Sequence, residues 1–229
     1  HLRLTFSGSL EARAECVVAP KIGGRLLSLG VDLSDTVNRG QLVAELDSDE
    51  AFQAVLQARA DLAVARATQI EKQSSLKIAA REFERINRLK QKGIASDSQY
   101  DSAMSNQLVK RSLLEVARAQ VMREKSLLEA ANIRLGYSKV TADWPGEDDQ
   151  RLVAERYVDE GQTVSANTPL LLISKLEPIT GIVHTMEKDY ASLSPGQPVS
   201  LTTDAYPTEI FYGKVDRISP VFNKTTRQA

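Results

Sequence analysis

The stretch SDEAFQAVLQARADLAVARATQIEKQSSLKIAAREFERINRLKQKGIASDSQYDSAMSNQLVKRSLLEVARAQVMREKSLLEAANIRLG, residues 48–136, contains no proline and one interior glycine, Gly93. Ala, Leu, Gln, Glu, Lys and Arg dominate it, and all are good helix formers. Seven-residue steps pick out Val55, Leu62, Gln69, Leu76 and Phe83, beside Ala51, Ala58, Ala65, Lys72, Ala79 and Ile86. Two adjacent rows at that spacing make the narrow apolar seam of a coiled coil, interrupted at Gln69 and Lys72. Beyond Gly93 the seam resumes with Leu114, Val121, Leu128 and Leu135, beside Ala117 and Ala131. Lys92-Gly93 reads as a helix stop, because glycine accepts positive φ at low cost. Ser96 reads as the N-cap of a returning helix. The stretch therefore predicts an antiparallel hairpin of two helices, each about 40 residues and about 60 Å long. Such a hairpin is a device for reach.

Outside this stretch the chain turns rich in Val, Thr, Gly and Pro, which predicts short strands and turns. The two flanks share a concealed repeat. At one common offset of 127, Val31 faces Val158, Ser34 faces Gly161, Val37 faces Val164, Gly40 faces Asn167, Val43 faces Leu170 and Leu46 faces Ile173. Gly40 and Asn167 both tolerate the left-handed conformation of a tight turn. The repeat predicts one small β domain of two similar halves, with the hairpin inserted between them. That works only if the chain leaves and re-enters at neighbouring points. Beyond Lys175, strands are expected over Thr180–Thr185, Val199–Thr203 and Ile210–Ile218. Turns are expected at Ser194-Pro195-Gly196-Gln197 and at Tyr206-Pro207. The opening residues Leu2–Phe6 are expected to complete a sheet there.

The composition narrows the function classes. The 229 residues carry 29 Lys and Arg against 30 Asp and Glu, a formal charge of -1. No net basic field is present to gather phosphates, so nucleic acid is not an expected partner. A single cysteine, Cys16, cannot form an intramolecular disulfide or a cysteine-rich zinc site, and it reads as a buried strand residue. His184, with Glu187 and Asp189 nearby, is the one candidate metal cluster, and a lone histidine there reads better as a surface strand residue. No run of some 18 apolar residues spans a membrane. No phosphate loop, nucleophile elbow or acid–base pair occurs. The expectation is a non-enzyme without metal or cofactor. Because the chain starts at His1 and shows no signal peptide, we expect a trimmed form whose anchoring segment is lost.

The half-motif Val37-Asn38-Arg39-Gly40-Gln41-Leu42-Val43-Ala44-Glu45-Leu46-Asp47 resembles a lipoyl or biotinyl half-domain, with its partner around Gly161-Gln162-Thr163-Val164. Together with the hairpin between them, it is similar to the periplasmic adaptors, or membrane fusion proteins (HlyD/AcrA-like), of Gram-negative tripartite efflux pumps and type I secretion systems. The run from Ser194-Pro195-Gly196-Gln197 through Phe211-Tyr212-Gly213-Lys214-Val215 to Ile218-Ser219-Pro220 looks like the adaptor β-barrel. Thr225-Thr226-Arg227 resembles the start of a further barrel strand. The resemblance implies an elongated multidomain α+β chain. Its expected parts are a barrel-contributing strand region at 1–14, the first lipoyl-like half at 15–47, the hairpin at 48–136, the second half at 137–175 and a truncated β-barrel at 176–229. One departure lies at Ala142-Asp143-Trp144-Pro145-Gly146-Glu147-Asp148-Asp149-Gln150, an acidic turn longer than the family's usual one. Trp144 is expected to pack on the small β domain.

Arg85, Leu89 and Ser96 fit the family's tip motif R-x3-L-x6-S without a gap. The resemblance implies that they meet the helical tip of an outer-membrane channel. Arg85 and Leu89 lie four apart and so share a helix face. The competing reading makes Leu89 hairpin core, Ser96 only a cap and Arg85 a solvated charge. Residues 81–92 carry five basic and two acidic side chains, which would suit an acidic duct tip. The expected partners are an inner-membrane transporter, of RND type in preference to ATP-driven, and an outer-membrane channel. Further copies of the chain would form a ring, six by family habit. The expected location is the periplasm, anchored to the inner membrane through a segment outside this chain. Two rivals remain. A biotinyl or lipoyl carrier needs an acceptor lysine at the turn, where Asp47-Ser48-Asp49-Glu50 stands without one. A coiled-coil scaffold would need no export signal.

Overall fold

The computed structural model describes residues 5–146 and 148–220. In chain order the elements are β1 (Gly8–Glu11), β2 (Ala14–Val18), β3 (Gly24–Leu29), β4 (Thr36–Asn38), β5 (Leu42–Leu46), α1 (Asp49–Gln91), α2 (Asp97–Gly136), β6 (Lys139–Thr141), β7 (Gln150–Arg156), β8 (Thr163–Val164), β9 (Leu171–Lys175), β10 (Thr180–Val183), α3 (Glu187–Tyr190), β11 (Pro198–Thr203) and β12 (Tyr206–Lys214). The chain divides into two compact units, residues 16–173 and residues 1–15 with 174–229.

In the first unit, α1 and α2 are 43 and 40 residues long, so each extends about 60 Å. The seam is where the heptads put it. Val55, Leu62, Ala65 and Ala79 are buried on α1, as are Leu114, Ala117 and Glu124 on α2, and the other seam positions are partly buried. Alanine at Ala58, Ala65, Ala79 and Ala117 lets the helices approach closely. Two seam positions are charged. Glu124 is 7 % exposed, and its carboxylate accepts from Gln120 Nε2 at 2.6 Å and from Arg123 at 2.7 Å. Those neighbours offset its desolvation. Lys72, the other charged interruption, reaches out to Glu71 at 2.7 Å.

The hairpin springs from adjacent strands. β5 leads into α1 and β6 follows α2, and the two pair antiparallel through Leu42↔Thr141 and Glu45↔Lys139. Leu46 N donates to Ser138 O at 2.8 Å, which closes the base of the insert. The chain thus leaves and re-enters the β domain at neighbouring points, as the repeat requires.

That domain is two four-stranded sheets of matching order, β6-β5-β3-β8 and β2-β9-β7-β4. Each half lends a strand to the other. β8, from after the hairpin, pairs with β3 through Gly24↔Val164, while β4, from before it, pairs with β7 through Val37↔Arg151. All six predicted repeat pairs occupy equivalent environments. Val31 and Val158, Val37 and Val164, Val43 and Leu170, and Leu46 and Ile173 all belong to one core. The remaining two pairs are backbone matches. Gly40 and Asn167 have φ of 78° and 63°, and Ser34 and Gly161 have 68° and 85°. Each half therefore makes the same two left-handed turns. Ser34 adopts that conformation at a steric cost glycine does not bear. Ser34→Gly should raise the stability of the β domain by up to about 1 kcal/mol, while Gly161→Ala should lower it. Urea melts of both variants check this, and equal shifts would refute it.

The long acidic turn is tied down by Trp144. This side chain is 3 % exposed, and its indole N–H donates to Asp148 O at 2.9 Å. Arg151, itself buried, stands 5.0 Å from the ring centroid and donates to the Asp148 carboxylate at 2.7 Å. Arg39 lies on the same ring at 5.9 Å and donates to Asp148 O. Trp144 therefore packs on the β domain, as expected. Cys16 lies in β2 and is only partly buried, with its thiol donating to Asp143 O at 3.3 Å.

In the second unit, β1 pairs with β10 through Gly8↔Val183, and β11 pairs with β12. Among the described residues these are two two-stranded sheets without closure into a barrel. The strand expected over Leu2–Phe6 lies mostly outside the described residues, and among those described the residues that pair with β10 are Gly8–Glu11. Thr225-Thr226-Arg227 also lies outside them. The turn expected at Tyr206-Pro207 is corrected to Asp204-Ala205, because Thr203 faces Tyr206 and the Thr203 hydroxyl accepts from Ala205 N at 3.2 Å. A proline is tolerated at the start of a strand in a two-stranded sheet, so Pro207 sits inside β12. His184 follows the end of β10 and is exposed.

Candidate docking site at the hairpin tip

Local chemistry shapes the tip completely. α1 ends at Gln91 with Lys92 as its C-cap, and Gly93 takes φ of 71°. Ile94 N then donates to Leu89 O and Gly93 N to Lys90 O, both at 2.9 Å. These are the two bonds of a Schellman motif, which satisfies the last carbonyls of the helix. Ser96 begins α2 with extended backbone, and its hydroxyl accepts from Gln99 N at 3.2 Å. Gln99 Oε1 accepts in return from Ser96 N at 2.9 Å. This reciprocal pair is a capping box.

Side chains then lock the two helix ends together. Lys90 Nζ lies 3.0 Å from Asp97 and 3.9 Å from the Tyr100 ring centroid. The Tyr100 ring meets Phe83 at 5.3 Å between centroids, tilted by 50°. One lysine on α1 thus holds a carboxylate and an aromatic ring of α2. The loop between the helices is short, and the N–H groups of Lys92, Gly93, Ile94 and Ser96 are all hydrogen-bonded, so the tip is preorganised.

Arg85 and Ser96 are exposed and Leu89 is half-buried. Arg85 and Leu89 stand on successive turns of α1, and Leu89 and Ser96 bracket the turn that follows. Arg85 pairs with Glu82, its Nε donating at 2.9 Å. That hydrogen bond, aided by the guanidinium charge, lowers the Glu82 pKa from its ordinary 4.5. A depressed carboxylate pKa contributes above the ordinary value and is lost as pH falls through the lower one. The pair is therefore intact at neutral pH.

Ser96 has a demonstrable structural role as the cap. The signal for the full box, Ser followed three residues later by Gln, is present in the sequence. The Lys90–Asp97–Tyr100 lock is not legible there, because helix–helix register decides which side chains meet. Ser96→Ala should cost about 1 kcal/mol of hairpin stability, and Ser96→Asp should keep most of it. Thermal melts followed at the helical band check both.

The described residues contain no group of three or more His, Cys, Asp or Glu side chains placed to hold a metal ion. No described helix is long and apolar enough to cross a membrane.

A long helical hairpin inserted into a two-half, lipoyl-like β domain, with further β structure beyond it, defines an adaptor-type architecture. Residues 61–138 match the family described as "RND MFP, alpha-helical hairpin domain", and residues 182–229 match the "CusB-like, beta-barrel domain". Its hairpin and its C-terminal segment thus each match a domain of the membrane fusion protein type. The chain is 27% identical over 221 residues to the macrolide export protein MacA of Escherichia coli O157:H7, covering 95% of this chain and 58% of that protein. It is 29% identical over 225 residues to the pyoverdine export membrane fusion protein PvdR of Pseudomonas aeruginosa, covering 97% and 56%. The chain thus spans somewhat over half the length of these curated relatives. The crystal structure of MacA from Actinobacillus actinomycetemcomitans shares the fold, with a TM-score of 0.83 at 21% identity, covering 95% of this chain and 67% of that one.

Proposed function

We propose that this protein is the periplasmic adaptor of a tripartite efflux pump, joining an inner-membrane transporter to an outer-membrane channel. The observation that carries the reading is the preorganised tip of a hairpin about 60 Å long, which presents Arg85 and Ser96 to solvent beside a half-buried Leu89. A rigid rod with a shaped end suits mechanical docking. Arg85, Leu89 and Ser96 make the channel contact. The β units gather on the transporter, of RND type by the hairpin family that residues 61–138 match. Several copies, six by family habit, close a ring, and the chain is held at the inner membrane by a segment outside residues 1–229. The carrier alternative lacks an acceptor lysine between β5 and α1.

Site-specific photocrosslinking in living cells tests this. A probe at Leu89 should capture an outer-membrane channel, and a control at the exposed mid-hairpin residue Arg66 should not. If neither captures a channel while the protein is exported and abundant, the docking role fails.

A further inference from the structure

Between residues 79 and 103, among the described residues, one large apolar side chain is left exposed: Ile94, at 69%. The residue in its position of a Schellman motif commonly folds back on the helix it follows. Here Ile94 holds the backbone bond to Leu89 O while its side chain stays largely in water. Its backbone is fixed from both sides, by Gly93 in the left-handed conformation and by the capping box at Ser96. Basic side chains precede it in sequence, the exposed Arg88 and Lys92 nearest, while Arg85 is paired with Glu82 and Lys90 is taken up by Asp97 and Tyr100. An apolar side chain exposed on a fixed backbone, with charged residues close by in sequence, has the makings of a binding hot spot.

We propose that Ile94 is the apolar anchor of the tip, seated in an apolar recess of the channel's periplasmic end whose rim supplies carboxylates or carbonyl oxygens to the basic side chains. This rests on the docking reading above and adds to it a residue outside the Arg85, Leu89 and Ser96 set. The charge of residues 81–92 selects an acceptor-rich rim, and the shape of Ile94 selects an aliphatic seat.

The test uses the full-length protein in cells, with a photocrosslinker at exposed Lys92 and three residues compared at 94. Ile94→Thr keeps the β-branched backbone preference and removes apolar surface, and Ile94→Leu restores that surface. Burying such a side chain contributes roughly tenfold or more in affinity. Channel capture should fall about tenfold in Ile94→Thr and return to within about twofold in Ile94→Leu, with hairpin melting unchanged in both. Undiminished capture by Ile94→Thr would overturn the anchor while leaving the docking reading intact. No channel capture with Ile94 itself, or capture only of a second copy of this chain, would overturn both.

Discussion

Leu89→Asp should reduce channel capture and export on the order of a hundredfold or more, with little change in protein abundance. The side chain is half-buried at the last turn of α1, and its carbonyl already accepts from Ile94 N and Lys92 N. Those bonds involve the backbone and survive the substitution. What changes is the surface offered to the partner. Losing a buried leucine costs about 1.5–3 kcal/mol, and desolvating a carboxylate in its place costs more. A new charge near the basic residues 81–92 would also draw them from the partner. Melting separates docking from folding. Should Leu89→Asp instead unfold the hairpin at working temperature, Leu89→Gln, which is smaller in its electrostatic effect, keeps the question open to measurement. Wild-type capture by either soluble variant would show that Leu89 belongs to the hairpin alone.

The second large effect lies in the β domain. Leu46→Ala and Ile173→Ala should each destabilise it by about 2–5 kcal/mol, through lost burial and the cavity left behind. Both side chains are fully buried and occupy equivalent places in the two halves. Because β4 and β8 are exchanged between the sheets, neither half can unfold without removing a strand from the other. Each substitution should therefore shift one shared transition. Hydrogen exchange at Val43 and Leu170 reports the two halves separately. If Ile173→Ala left Val43 fully protected while Leu170 opened, the halves would be independent and the exchange of strands energetically unimportant.

Much of the hairpin and of the β repeat is legible in the residues themselves. The heptads name the seam residue by residue, since helix periodicity is a local property and a seam needs only one further helix. The repeat at offset 127 picks out Gly40 and Asn167 as left-handed, because backbone demands leave a trace in residue type, whereas the left-handed Ser34 and Gly161 are paired by the repeat but shown to be left-handed only by the backbone. The break at Gly93 and the cap at Ser96 follow from the same local rules. The turn expected at Tyr206-Pro207 falls two residues earlier, because proline signals a turn only where its missing N–H would be needed. At the start of β12 it is not.

Sequence alone thus determined the elements that depend on neighbours within a few residues: two long helices, their short connection, and two similar β halves. Tertiary structure decided everything that depends on register between distant segments. It chose which half supplies each edge strand, how Arg39 and Arg151 meet across Trp144, and how Lys90 reaches Asp97 and Tyr100. It also let Glu124 sit in the seam, where the sequence pattern asks for an apolar side chain, because Gln120 and Arg123 complete its hydrogen bonds. The physical reason is common to all of them. Local propensity is written in residues a few positions apart, whereas pairing across many residues is settled by which arrangement buries the core and satisfies its polar groups together.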